Sequence, residues 1–131
     1  MIVIDTNVVV RYLTNDHPQQ AVKAKALIDR NDVFVPITVL LESAWVLRSS
    51  FGYHRKQIAE ALLFLAGLPT VTLGEAEIAK KALDWSRAGM DFADALHLAK
   101  AADFGAFATF DRRFARVAAK VSDVRLHAFD D

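Results

Sequence analysis

A chain of 131 residues, 53% of them apolar, has the length for one domain with a substantial hydrophobic core and is short for two. Sixteen lysines and arginines balance sixteen aspartates and glutamates, so the overall field does not drive nonspecific binding to a polyanion; such a partner needs a local basic patch. With no cysteine, disulfides, thiolate zinc sites and cysteine nucleophiles are excluded together, and any metal must sit on oxygen or histidine.

The first element is the apolar run Met1-Ile2-Val3-Ile4, predicted as a strand over residues 1 to 4 and ended by Asp5. Nothing here has the pattern of an export signal, and no window approaches the roughly 18 apolar residues of a membrane span, so a soluble, cytoplasmic protein is expected. Asp5-Thr6-Asn7 can cap the helix predicted over 7 to 14, or the acid can serve chemistry. Asp16 and Pro18 mark the start of a helix over 18 to 30, followed by a strand over 33 to 35. The helix over 38 to 51 carries Glu42 within the stretch Val39 to Leu47, with no obvious polar face nearby. A buried glutamate without a partner keeps its proton; a metal, or pairing with Arg48 or a backbone donor, removes the problem.

Gly52 ends this helix, and the next, over 55 to 66, contains Leu62-Leu63-Phe64-Leu65. That is more apolar surface than one core face needs, readable as a dimer or partner groove or as a well-buried helix. Pro69 precedes a strand over 70 to 73, and Gly74 precedes a helix over 75 to 88. After Gly89, Asp91 reads as the cap of a helix over 92 to 104, with Asp94 at its third position, where the dipole favours an anion. His97, one turn beyond Asp94, reads as a core histidine with a satisfied ring nitrogen rather than a ligand. Gly105 marks the helix end, and a strand over 106 to 109 leads to Asp111, which either caps the helix over 112 to 119 or serves chemistry. Arg112, Arg113, Arg116 and Lys120 form the best candidate basic patch, ahead of Arg11, Arg48, Arg55 and Lys56. A strand over 124 to 127 closes the series. Trp45, Trp85 and the nine phenylalanines read as core, with Phe110 held open as a stacking surface.

Alternation of short β-branched runs with helical periodicity predicts an α/β domain around a parallel sheet, whose ligands collect outside the carboxyl ends of the strands. Asp5, Glu42, Asp94 and Asp111 all fall near such an end. If the fold gathers them, a divalent cation must offset their repulsion, and hard oxygen donors point to magnesium or manganese. No glycine-rich dinucleotide or phosphate-binding run is present.

Taken in order, Ile4-Asp5-Thr6-Asn7, Leu41-Glu42-Ser43, Asp91-Phe92-Ala93-Asp94-Ala95-Leu96 and Thr109-Phe110-Asp111-Arg112-Arg113-Phe114 resemble the motifs of PIN-domain nucleases, specifically VapC-type toxins of toxin-antitoxin pairs. The resemblance implies one PIN-like domain over residues 1 to 131, with a doubly wound parallel sheet of four or five strands and helices on both faces. It also implies RNA cleavage dependent on Mg2+ or Mn2+, a cognate VapB-type antitoxin occluding the acidic pocket, and a homodimer. By motif, Asp5 and Asp94 become the principal metal ligands, Glu42 a ligand or neighbouring acid, and Asp111 the fourth acid. Thr6, Asn7 and Thr109 match the polar residues beside the first and fourth acids, and Asp91 is capping or auxiliary. Arg112, Arg113 or Arg116 are expected to hold the RNA backbone. A haloacid-type phosphatase wants a second aspartate where Asn7 stands, and the acid layout of a receiver domain does not occur. The alternative from another class is a noncatalytic protein-binding α/β module whose acids merely cap helices.

Overall fold

Short β-branched runs and capped amphipathic segments alternate in the computed structural model, which describes residues 1–129. In chain order the elements are β1 (Ile2–Val3), α1 (Thr6–Thr14), α2 (Pro18–Arg30), β2 (Val33–Val35), α3 (Ile37–Phe51), α4 (Arg55–Ala66), β3 (Val71–Leu73), α5 (Ala76–Arg87), α6 (Phe92–Lys100), β4 (Phe107–Ala108), α7 (Arg112–Val121) and β5 (Leu126–His127). Every predicted element is present, and the differences lie at the ends. The helix expected to reach residue 104 stops at Lys100, because Ala101, Ala102 and Phe104 donate to carbonyls three residues back and tighten the chain out of the α-helix.

Local chemistry explains the boundaries. Asp5, His17, His54, Asp91 and Asp111 each accept a backbone N–H in the first turn of the following helix, satisfying donors the helix itself leaves unpaired. His54 and Gln57 bond reciprocally as a capping box, and Pro18 fills the first position of α2, where no N–H is needed. Gly52 closes α3 in the left-handed region at φ 70°, a conformation glycine adopts without steric cost.

The paired strands run parallel, as expected, but in two pieces rather than one continuous sheet. β1, β2 and β3 form one, with Ile2 opposite Val33 and Val33 opposite Val71; β4 and β5 form the other, with Phe107 opposite Leu126. The reason is strand length. Two-residue strands offer few ladder bonds, β4 spends its bonds on β5, and the outer edge of β1 carries no strand among the described residues. Ile2 and Val3 are consequently exposed.

The core is built mainly from helices. Each helix packs on a neighbour in the series α2, α1, α3, α4, α5, α6, α7, with α4 and α5 also against β3. Val9, Leu40, Leu47, Leu62, Leu65, Leu83 and Leu98 are fully buried among the β2 residues Val33 and Val35. Truncating one of these leucines to alanine costs roughly 2–5 kcal/mol, a large share of a small domain's stability.

Three expectations about burial fail. Trp45 is 67% exposed, and Phe64, Phe104 and Phe129 also lie at the surface, so the aromatic residues are not all core; Phe110, held open from the start, is exposed as well. His97 is exposed rather than a core histidine. Glu42 is exposed too, on an outward stripe of α3 with Thr38, Trp45 and Ser49, whose spacing of three to four residues puts them on one helix face. Trp45 conceals that stripe in the sequence by looking apolar. Among the described residues no helix is long and apolar enough to cross a membrane.

Candidate active site

Met90 is buried and Gly89 takes φ 124°, so the chain turns sharply from α5 into α6 and delivers Asp91 at the helix start. Both oxygens of Asp91 are engaged: Oδ2 accepts the Asp94 N–H at 3.3 Å, and Oδ1 meets Arg48 Nη1 at 3.1 Å. Capping therefore fixes the carboxylate, and an arginine from α3 partly neutralises it. Arg48, one of the alternative partners open to Glu42, is engaged by this contact instead.

Asp94 lies one turn further in, half-buried and free of capping duty. Burial raises its carboxyl above the ordinary range, and the neighbouring carboxylates of Asp91 and Asp111 raise it further, against the opposing pull of His97 and Arg55. Asp111 arrives from the other side, at the start of α7. Its Oδ1 accepts the Phe114 N–H at 3.0 Å, and its own N–H donates to Thr109 Oγ1 at 3.0 Å. Thr109 thus shapes the turn that presents the acid.

Asp91, Asp94 and Asp111 line one cavity of about 280 Å³, faced by Arg48, Arg55 and Arg113. Arg55 Nη1 donates to the Gly89 carbonyl at 3.3 Å, which ties the first turn of α4 to the turn before α6. Glu42 borders a larger cavity of about 550 Å³ that shares Asp91, Arg48 and Arg55 with the first. Its carboxylate accepts the hydroxyl of Thr6, the first residue of α1. Asp5 is the outlier: it accepts the Val8 N–H at 3.1 Å and lines a separate cavity with Asn7, Arg11, Gln20 and Lys23. The chain neighbours Asp5 and Thr6 thus connect it to Glu42, but not to the cavity of Asp94.

The donor set suits a hard divalent cation, since it consists of carboxylates, with Asp91 and Asp111 raising the proton affinity of Asp94 after burial. The coordination sphere is not assembled, however. Among the described residues no three acid or histidine side chains stand close enough to hold one ion, and Asp5 and Asp94 line different cavities.

The arginines also differ from expectation. Arg113 lines the acid cavity, whereas Arg112 and Arg116 are exposed on α7 and do not line it. Arg48 and Arg55 take their place, although 43 residues separate Arg48 from its partner Asp91. The available signal was the Gly52 turn, which both arginines flank, one in the last turn of α3 and one at the start of α4.

A comparison with curated proteins gives no match. The family model described as PIN domain matches residues 2–120, from β1 into α7, and takes in all four expected acids and the arginines around the acid cavity. PIN domains are in general metal-dependent nucleases. With the match covering nearly the whole chain, and a parallel α/β framework carrying acids at its helix starts, the chain belongs to the PIN-domain family.

Proposed function

We propose that this PIN domain is a metal-dependent endoribonuclease, the toxin of a VapBC-type pair, working as a homodimer in the cytoplasm and held in check by a VapB-type antitoxin. The observation that carries the reading is the cavity in which Asp94, raised by burial and by Asp91 and Asp111, faces three arginines. Carboxylates that repel one another provide a seat for a cation, and guanidinium groups beside them provide a seat for a phosphodiester. By motif Asp5 and Asp94 would be the principal ligands of Mg2+ or Mn2+, with Glu42 and Asp111 as the further acids, once the separate cavities of Asp5 and Asp94 draw together around the ion. Such an ion supplies the Lewis acidity and positive charge that phosphodiester hydrolysis needs near neutral pH. Asp91 positions Asp94 through its cap and holds Arg48, and Thr6 orients Glu42. Asn7 stands beside Asp5, and Thr109 sets Asp111. Arg48, Arg55 and Arg113 bind the RNA backbone, with Arg112 and Arg116 further out along α7.

The second reading, a noncatalytic protein-binding module, has its own support: Asp5, Asp91 and Asp111 all cap helices, and no three donors converge. One experiment separates the two. Purified, antitoxin-free protein is incubated with total cellular RNA in manganese, magnesium or EDTA, beside folded Asp5→Asn and Asp94→Asn variants. The expected result is discrete, metal-dependent products, reduced about 10²–10³-fold in each variant. No products in any buffer, with no manganese bound, would count against the nuclease and favour the binding module.

A further inference from the structure

We propose that the cavity of about 550 Å³ beside the acids receives one unpaired RNA base, stacked on Trp45 with its phosphate between Arg48 and Arg55, and so selects which phosphodiester reaches Asp94. The proposal deepens the ribonuclease reading and rests on it.

Three independent features point to this occupant. The first is Trp45, which lines the cavity while standing 67% exposed on the same stripe of α3 as Glu42. An indole in that position is a stacking platform open to any base, since every base has a π-face. The second is Ser86, which also lines the cavity. It is 1% exposed, and its Oγ has no hydrogen-bond partner among the described residues. A buried hydroxyl left unpaired is costly, and a base edge carries both donors and acceptors that satisfy it. The third is the arginine pair. Arg48 and Arg55 border this cavity and the acid cavity alike, so a phosphate held between them lies at the boundary of the two. Asp91 already occupies one Arg48 nitrogen, leaving the rest of the guanidinium fork and Arg55 for the phosphate.

Shape and charge together favour a nucleotide over an apolar side chain. The cavity volume falls in the usual range for small-molecule sites, its walls are largely apolar, and its rim is cationic at the end nearest the acids. Only an unpaired base can enter, because a base within a helix keeps its faces stacked.

The test uses end-labelled ribo-octamers of A, C, G and U, titrated in EDTA so that binding is read by anisotropy without cleavage. Wild-type protein is expected to prefer one base. Trp45→Ala should weaken that octamer roughly ten- to hundredfold, and Trp45→Phe should restore it to within about threefold. Ser86→Ala should flatten the preference among bases, weakening the preferred octamer most. Since Trp45 is exposed, its replacement should leave the thermal transition in place, and a melt of each variant checks this. Equal binding of all four octamers by wild type and Trp45→Ala would overturn the proposal. So would a Trp45→Ala protein that sediments as a monomer where wild type is a dimer, with RNA affinity unchanged; the indole would then belong to a contact between copies. Base-selective, Trp45-dependent binding without cleavage in any metal would remove the ribonuclease reading and leave the base site standing. Cleavage that is insensitive to Trp45 would do the reverse.

Discussion

Asp94 concentrates the site's electrostatics in one carboxyl, and its effect on stability has a definite sign. Its folded-state pKa is raised by burial and by the carboxylates of Asp91 and Asp111, with His97 and Arg55 only partly offsetting them. A carboxyl raised in the folded state binds its proton more tightly there than in the unfolded chain. Its favourable contribution is therefore complete at low pH and is lost as pH rises through the raised value. At neutral pH the ionised group is a burden on the metal-free fold. Asp94→Asn is accordingly expected to melt higher than wild type at about pH 7, with the gap closing as pH falls toward about 4. Manganese should raise the wild-type transition and leave that of the variant in place. Thermal melts of both proteins across this range are the check, and a metal-free wild type that melts higher at neutral pH would contradict the assignment. The sequence made the acids themselves legible, because aspartates ahead of amphipathic runs announce caps. It did not reveal that Glu42 is exposed: a tryptophan on an outward helix face reads as core until tertiary packing shows what lies over it.

At the scale of elements, the turn between α5 and α6 determines how the acids meet the arginines. Gly89 holds φ 124°, a region side chains rarely enter, and its carbonyl accepts from Arg55. Gly89→Ala should destabilise the fold by about 1–3 kcal/mol through backbone strain alone, since nothing stands within 4 Å of an added Cβ. RNA binding should weaken with it as Arg55 loses its anchor. Gly105 is the control: it too has open space around it but no positive φ, so Gly105→Ala should lie within about 0.5 kcal/mol of wild type. Denaturant titration of both variants distinguishes strain from loss of room, and equal effects would rule out strain at Gly89. In the sequence these two glycines are alike, each punctuating the chain near a helix. Helices were legible because capping and apolar periodicity are local, whereas the division of the strands into a three-stranded and a two-stranded sheet was not, because strand pairing joins residues far apart.

Across the whole molecule, charge is balanced, so any hold on RNA must come from where the fold places a few cations. The run Arg112, Arg113, Arg116 and Lys120 suggested a basic patch along one helix, but the acid cavity draws one arginine each from α3, α4 and α7. These two arrangements predict different responses to salt. One phosphate between Arg48 and Arg55 and a second on Arg113 give a slope of log affinity against log salt of about −1.4, at roughly 0.7 per neutralised phosphate of a single strand. A continuous basic face that also engages Arg112, Arg116 and Lys120, each on a further phosphate, would give a slope nearer about −3.5. Titration of the preferred ribo-octamer in EDTA at several salt concentrations measures it. Arg55→Gln should make the slope shallower by roughly 0.7, while Arg116→Gln should leave it unchanged. The reverse pattern would put the backbone contacts along α7 and away from the acids. A slope near zero in wild type would show that phosphate binding contributes little and that the arginines serve mainly to hold Asp91 and the Gly89 turn in place.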